Sequence, residues 1–185
     1  MQKWHFLALE LNLMRTIKLF ICFFILISWG VKAQETDFST EVSSYLDSNG
    51  TMKQYQYAYD ELLKMLAKQY PKSATTADGW AYLEGNKENA IAAMKQELIP
   101  IYQENFSASE IKLMTAFYQS DTGKQLIGDR SKMTDVQKEE LNSFYGTVVG
   151  RKIIEKQPVL TQAISVVSES WSRDLYETAV SLLKE

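Results

Sequence analysis

Histidine and cysteine are nearly absent from this chain of 185 residues, which contains one of each, His5 and Cys22. Both precede residue 34, in an N-terminal segment that has the features of a removable leader. The rest of the chain therefore lacks the residues for a Ser-His-Asp triad, a Cys-His dyad or a zinc site with His or Cys ligands. It cannot form a disulfide either, so its stability must come from a packed core.

The leader has the three parts of a secretory signal peptide. Arg15 and Lys18 precede an unbroken apolar run over residues 19–27, and the small-residue cleavage site ends at Ala33. The run is shorter than the roughly 20 residues that a membrane-spanning helix needs. We therefore predict a signal peptide over residues 1–33, cleaved after Ala33, and a periplasmic or secreted protein. An uncleaved signal anchor is the alternative, and it would provide the only contact with a membrane.

Removal of the leader would leave an acidic mature chain that starts at Gln34. Met1 and Met14 are both candidates for the translation start. The leader carries four basic residues and one acidic residue, so the formal net charge changes from −3 for the full sequence to about −6 for the mature chain. An acidic chain with scattered lysines is a poor electrostatic match for nucleic acid or an anionic membrane. We therefore expect neither as a partner.

Strand-type alternation is also lacking, and only three prolines interrupt the chain. Apolar residues recur instead at the three- and four-residue spacing of amphipathic helices. This pattern predicts an all-α fold, a compact single-domain bundle of five to seven helices over residues 45–185. Residues 34–44 are predicted to form a mobile mature N-terminus.

Three long helices are predicted within the bundle, over residues 51–70, 80–104 and 158–183. Pro100 is expected to kink or restart the second helix, because proline removes a backbone donor and clashes with the preceding turn. Pro158 is expected at the start of the third helix, where proline is favoured in the first turn.

A short pattern occurs twice, 27 residues apart. Residues 117–123 contain Phe-Tyr, then Ser, then Gly, and residues 144–150 contain Phe-Tyr, then Thr, then Gly. The repetition predicts two helix–bend–helix units, at about residues 106–132 and 133–160. Glycine inside a helix costs about 1 kcal/mol relative to alanine, so Gly123 and Gly150 are expected where two helices approach closely.

Helix caps precede both copies of the pattern. Ser107 with Glu110, and Thr134 with Gln137, have the spacing of a capping box, in which the first residue caps the helix and the residue three positions later bonds back. We therefore predict that a helix starts after each box.

Several elements follow one another in a set order along the mature chain, namely Trp80, Ile99-Pro100-Ile101-Tyr102, residues 106–111, Phe117-Tyr118-Gln119-Ser120 with Gly123-Lys124, Lys156-Gln157-Pro158-Val159-Leu160 and Trp171. This order resembles the domain-of-unknown-function family 2059, a family of exported bacterial proteins. The resemblance extends over residues 45–183 and implies an all-helical exported domain. It carries over no established activity. The family has one Phe-Tyr…Gly element that leads directly to the Lys-x-Pro-x-Leu stretch, as the second copy does here, so we interpret the repetition as an internal duplication whose extra unit lies upstream of Gly150.

Aromatic residues near the pattern are candidates for a ligand or partner surface, although aromatic pairs at helix ends are more typical of a core. The candidates are Phe117, Tyr118, Phe144, Tyr145 and Trp171. Tyr57 falls off the apolar stripe of its helix and is expected to be exposed. Neighbouring carboxylates could in principle perform acid–base chemistry or bind a cation, namely Asp60-Glu61, Glu139-Glu140 and Asp174 with Glu177. Such pairs are usually solvated helix faces, so we predict no catalytic residue, metal or cofactor.

Three functions are compatible with this sequence. The favoured one is a non-enzymatic exported module that binds an envelope protein or an apolar ligand. The first alternative is an envelope hydrolase, for example of glycans, that uses carboxylates and tyrosines. The second is a structural, oligomerising protein with its last helix as the interface.

Overall fold

The computed structural model describes residues 37–184. The predicted signal peptide, both candidate start residues and Gln34 lie outside this range. Residues 39–185 form one compact unit. Helices are the only regular elements between residues 37 and 184, which confirms the predicted all-α fold. None of the helices in this range is both long enough and apolar enough to cross a membrane.

Eight α-helices and one short 3-10 turn follow one another over residues 37–184. In chain order they are α1 over residues 37–48, α2 Thr51–Gln69, α3 Ala77–Gly85, α4 Lys87–Asn105, α5 Ala108–Gln119, α6 Asp121–Gly128, the 3-10 turn Arg130–Lys132, α7 Asp135–Gly146 and α8 Val148–Leu183. This exceeds the predicted five to seven helices, because short helices flank the long ones.

The first helix corrects the prediction that residues 34–44 are mobile. Residues 37–44 belong to α1, which buries Val42 completely. Gly50 then connects α1 to α2 with a left-handed φ of 83°, a conformation that glycine adopts without steric cost. A side chain at Gly50 would also collide with Ile127, because its Cβ would lie 2.7 Å from Ile127 Cγ2.

The predicted helix over residues 80–104 is divided in two, at a different place from the one expected. The chain bends at Asn86, next to Gly85, whereas Pro100 lies inside α4. Pro100 and Gln96, four residues earlier, are both exposed. Water can therefore reach the carbonyl group that loses its intrahelical partner, and the helix tolerates the proline.

The last helix starts ten residues earlier than predicted and ends where it was predicted to end. α8 continues for 36 residues from Val148 to Leu183 and contains Pro158 in its interior. Pro158 and Ile154, whose carbonyl group would have bonded to residue 158, are exposed. The same solvation argument therefore explains why the proline does not begin a new helix here.

The long α8 helix packs against α3, α4, α5 and α7. At its C-terminal end, Ala179 and Leu183 join a buried cluster with residues of α2 and α3, namely Leu66, Trp80 and Leu83. α8 thus extends along the bundle, and α5 and α7, the first helices of the two copies, both pack against it.

Candidate functional site

Both copies of the repeated pattern begin with a complete capping box. In the first copy, the Glu110 amide donates to Ser107 Oγ at 3.3 Å, and the Ser107 amide donates to the Glu110 carboxylate at 2.8 Å. In the second copy, the corresponding distances between Gln137 and Thr134 are 3.2 and 3.0 Å. These bonds satisfy amide donors at the starts of α5 and α7 that have no partner within their helices.

In each copy, a single residue separates two consecutive helices, α5 from α6 and α7 from α8, and forms a corner between them. Ser120 and Thr147 have nearly identical backbone angles, with φ −69° for both and ψ 166° and 168°. Their hydroxyl oxygens accept from the amides of Gly123 and Gly150, each at 3.1 Å. The two corners therefore share one local geometry, in which a helix ends and the next begins after one residue.

The glycines are placed where this corner leaves no room for a side chain. A Cβ atom at Gly123 would lie 2.5 Å from Tyr118 Cα, and one at Gly150 would lie 2.6 Å from Tyr145 Cα. Both distances are far shorter than a van der Waals contact. The close approach is therefore between the consecutive helices on the two sides of the corner.

Equivalent aromatic residues of the two copies contact each other. The rings of Phe117 and Phe144 stack with their centroids 3.9 Å apart and their planes 6° apart. The neighbouring side chains of Tyr118 and Tyr145 interact electrostatically. All four side chains are half-buried, so they form a packed junction between the copies that remains accessible to solvent in part.

Tyrosines from α1 and α4 extend this junction inward. The Tyr45 ring lies 5.3 Å from that of Tyr102 and 5.9 Å from that of Tyr118, both in edge-to-face contact. Burial raises the pKa of Tyr102 to about 12. Burial, with a smaller contribution from neighbouring tyrosines, also raises the pKa values of Tyr45 and Tyr118 well above the ordinary range. These side chains are therefore neutral phenols over the physiological pH range.

An ion pair connects the first capping box to α8. Lys152 Nζ donates to both carboxylate oxygens of Glu110, at 2.9 and 2.7 Å, and lies 5.5 Å from the centre of the Phe106 ring. The hydrogen bond from Lys152, together with that from the Ser107 amide, lowers the pKa of Glu110. The pair fixes the start of α5 on α8, so Glu110 is a structural residue.

A groove of about 510 Å³ opens beside this junction, between the first turns of α2 and the end of α6. We call it the α2–α6 groove. It is lined by Asn49, Gly50, Lys53, Gln54, Tyr57, Tyr118, Leu126 and Ile127. The α2 residues form a polar wall with an aromatic rim, and the α6 residues form an aliphatic wall. Tyr57 is 66% exposed, which confirms the expectation that its side chain faces solvent.

Some polar groups of the groove are occupied by internal contacts and others are available. Asn49 Oδ1 accepts from the Thr51 amide at 2.9 Å. The side chains of Lys53 and Gln54 are solvent-accessible and make no hydrogen bond or ion pair with any residue between 37 and 184. These two side chains could therefore bind an incoming ligand without breaking an existing contact.

The structure separates the candidate residues of the sequence. Of the five aromatic candidates, Tyr118 lines the groove and Trp171 lies elsewhere. The Trp171 indole donates from Nε1 to the Ala90 carbonyl oxygen at 3.1 Å and meets the Tyr55 ring edge to face at 5.3 Å. Trp171 therefore anchors α8 to α4 and α2.

Two of the carboxylate candidates, Asp60 and Glu140, have different partners. Asp60 binds Lys87 at 2.7 Å, and Glu140 accepts a short hydrogen bond from the Thr122 hydroxyl. Over the described range, no three His, Cys, Asp or Glu side chains come together as metal ligands.

The groove itself was not found from the sequence. Lys53, Gln54, Leu126 and Ile127 belong to helices more than 70 residues apart in the chain, and no local pattern links them. Tyr118, a candidate from the repeated pattern, and the exposed position of Tyr57 were the signals in the sequence that pointed toward this surface.

Comparison with known proteins supports the family resemblance. The model of the DUF2059 family, described as an uncharacterised protein conserved in bacteria, matches residues 92–139. The matched segment contains most of α4, the first copy of the pattern and the start of α7, and it is shorter than the 45–183 extent of the resemblance. No curated protein and no solved structure shows significant similarity to the chain.

Proposed function

We propose that this protein, whose residues 92–139 match the DUF2059 family, is an exported, non-enzymatic binding module that holds its ligand in the α2–α6 groove. The observation that carries the proposal is the composition of the groove. It combines an aliphatic wall, an exposed tyrosine and two polar side chains without partners in the described part of the chain. Its volume of about 510 Å³ falls within the range of about 300–1,000 Å³ that is typical of ligand sites.

The two walls suit an amphipathic ligand. Leu126 and Ile127 are half-buried and can pack against an apolar group, while Lys53 and Gln54 can form hydrogen bonds at the opposite wall. Tyr57 can cover a bound group from the rim at low entropic cost, because tyrosine presents a large rigid surface. A ligand in the groove would therefore remove apolar surface from water and keep its polar groups satisfied.

The contacts of Tyr118 favour binding over catalysis. Burial raises the pKa of its phenol, and its ring meets those of Phe117 and Tyr45 edge to face, so Tyr118 serves as a fixed, neutral floor of the groove. The hydrolase alternative requires two carboxylates separated by about 5–10 Å across a cleft. The carboxylate candidates of the sequence are not among the residues that line the groove.

Export is part of the proposal. It rests on the charged, apolar and small-residue segments of residues 1–33. The ligand would accordingly come from the periplasm or the extracellular space, either from an envelope protein or as a small amphipathic molecule.

Self-assembly through α8 is a second candidate function, supported by exposed aliphatic side chains on that helix. Val148, Val159 and Val166 are 75%, 53% and 65% exposed. Sedimentation equilibrium would distinguish the two functions. An interface at this face predicts a dimer that Val159→Asp dissociates, whereas binding in the groove alone predicts a monomer that the substitution leaves unchanged.

Native mass spectrometry of the protein purified from its own cells tests the proposed function. We expect the wild-type protein to carry an additional bound mass, and we expect Gln54→Trp to lose it because the indole fills the groove. Lys68→Trp is the matched control, since Lys68 is an exposed residue of α2 outside the groove. A bare wild-type protein, or an adduct that persists in Gln54→Trp, would overturn the proposal.

A further inference from the structure

The charge of the α2–α6 groove differs from that of the chain around it. Its lining contains one cation, Lys53, and no acidic residue, although the chain as a whole is acidic. Other lysines, such as Lys64 with Glu61 and Lys87 with Asp60, have carboxylate partners on the protein. Lys53 has none between residues 37 and 184, so an anionic group of a ligand would meet an unpaired ammonium there.

The aliphatic wall and Lys53 line the same groove, and Ile127 of that wall is held in place by its packing on Gly50. Ile127 packs so closely on Gly50 that a β-carbon there would lie 2.7 Å from its Cγ2 atom. Lys53 lies three residues beyond Gly50, in the first turn of α2, and lines the same groove as Leu126 and Ile127. An apolar group packed on Ile127 and Leu126 would therefore lie close to the Lys53 side chain.

We propose that the ligand of the α2–α6 groove is an aliphatic carboxylate, with its carboxylate on Lys53 and its hydrocarbon portion on Leu126 and Ile127. This inference rests on the proposed function, since it specifies the ligand of the same groove. A medium-chain fatty acid and a peptide that ends in a free leucine both provide this chemistry.

The apolar contact contributes most of the binding free energy, and Lys53 gives the preference for a carboxylate over a neutral group. Ion pairs between exposed groups contribute about 1 kcal/mol or less, which corresponds to a preference of about fivefold at most for the carboxylate over a neutral analogue. This preference should diminish as salt increases, because exposed charges are screened within about 10 Å at 0.1 M ionic strength.

Titrations followed by ¹⁵N–¹H NMR on the full protein test this inference with two matched pairs of probes. The first pair is octanoate and octanol, and the second is acetyl-Gly-Leu with a free carboxylate and its C-terminal amide. We expect octanoate or acetyl-Gly-Leu to shift the amide signals of Lys53, Gln54 and Ile127 and to bind more tightly than its neutral analogue, by a factor of up to about five. The pair that binds identifies the source of the carboxylate.

Variants of Lys53 separate the cation from the groove. Lys53→Met should abolish the preference for the carboxylate over its neutral analogue, whereas Lys68→Met on the same helix should retain the preference. Equal affinity for charged and neutral probes, or a preference that survives in Lys53→Met, would overturn the inference. If the inference fails but Gln54→Trp still loses the bound mass detected by native mass spectrometry, the proposed function stands. If neither an adduct nor shifts at the groove occur, both fail.

Discussion

The ring of Phe117 at the end of α5 lies face to face with the ring of Phe144 at the end of α7, with centroids 3.9 Å apart. The two residues occupy equivalent positions in the two copies of the pattern, and so do their neighbours Tyr118 and Tyr145. Contact between equivalent residues is typical of a local two-fold arrangement. The stack also positions Tyr118, which forms the floor of the α2–α6 groove.

Loss of this stack should be measurable as a coupling between the two rings. Phe117→Ala should destabilise the protein by about 2–4 kcal/mol, somewhat less than a fully buried phenylalanine, because the ring is half-buried. A double-mutant cycle with Phe144→Ala should give a coupling of about 0.5–1.5 kcal/mol. Urea unfolding followed by circular dichroism measures both. Leu113→Ala, on the exposed face of α5, should change the free energy of unfolding by about 0.5 kcal/mol or less.

The glycines of the corners should not tolerate alanine. Gly123→Ala and Gly150→Ala would force backbone atoms apart, and each should cost about 1–3 kcal/mol or more. Gly128 lies at the end of the same helix as Gly123, and a β-carbon added there would meet no neighbouring group within 4 Å. Gly128→Ala should therefore stabilise the protein by up to about 1 kcal/mol. Thermal unfolding of the three variants checks this order. Equal effects at positions 123 and 128 would contradict the close approach at the corner.

The ion pair between Glu110 and Lys152 should make stability depend on pH in the acidic range. The folded-state pKa of Glu110 is lowered, so the pair stabilises the protein above the unfolded-state pKa of about 4.3 and loses this effect as the pH falls through the lower folded-state pKa. Glu110→Gln should cost about 1 kcal/mol at pH 7 and almost nothing once Glu110 is protonated.

Glutamine is an informative replacement for Glu110, because Gln137 completes the capping box at the equivalent position. The substitution therefore removes the charge and retains the cap. Urea unfolding at pH 7 and at pH 3 measures the difference from the wild-type protein. A difference of the same size at both pH values would show that the cap, rather than the ion pair, had been lost.

Tyr102 should make the protein sensitive to alkali. Its folded-state pKa is raised to about 12, so its stabilising effect is fully present below the unfolded-state pKa of about 10 and is lost as the pH rises toward the folded-state value. Tyr102→Phe should therefore lose less stability than the wild-type protein between pH 9 and pH 11. Urea unfolding at both pH values measures this. A parallel loss in the two proteins would contradict the burial of the Tyr102 phenol.

Local features of the fold could be predicted from the sequence, and features that depend on solvent or distant contacts could not. The capping boxes at Ser107 and Thr134 depend only on residues three positions apart, so the spacing of these residues in the sequence was sufficient to predict the boxes. Pro158 was interpreted as a helix start because proline is favoured in the first turn of a helix, yet it lies inside α8. Its tolerance depends on the exposure of the helix face that carries it, which the sequence does not encode locally.

The site was less predictable than the fold for the same reason. Tyr118 was a candidate because it belongs to the repeated pattern. Its role as the floor of a groove depends on α2 and α6 coming together, through the contact between Gly50 and Ile127. Neither residue is unusual in its own stretch of sequence, so only the packed structure places the polar and aliphatic walls opposite each other.

Photo-crosslinking in living cells tests the central claim, that the α2–α6 groove holds the natural ligand, most directly. The crosslinking amino acid p-benzoyl-phenylalanine can replace Tyr57 at the rim of the groove or Tyr82 on α3, which is 51% exposed and outside the groove. Mass spectrometry after irradiation should detect an adduct at position 57 and none at position 82. Adducts of equal yield at both positions, or an adduct at position 82 alone, would contradict the claim.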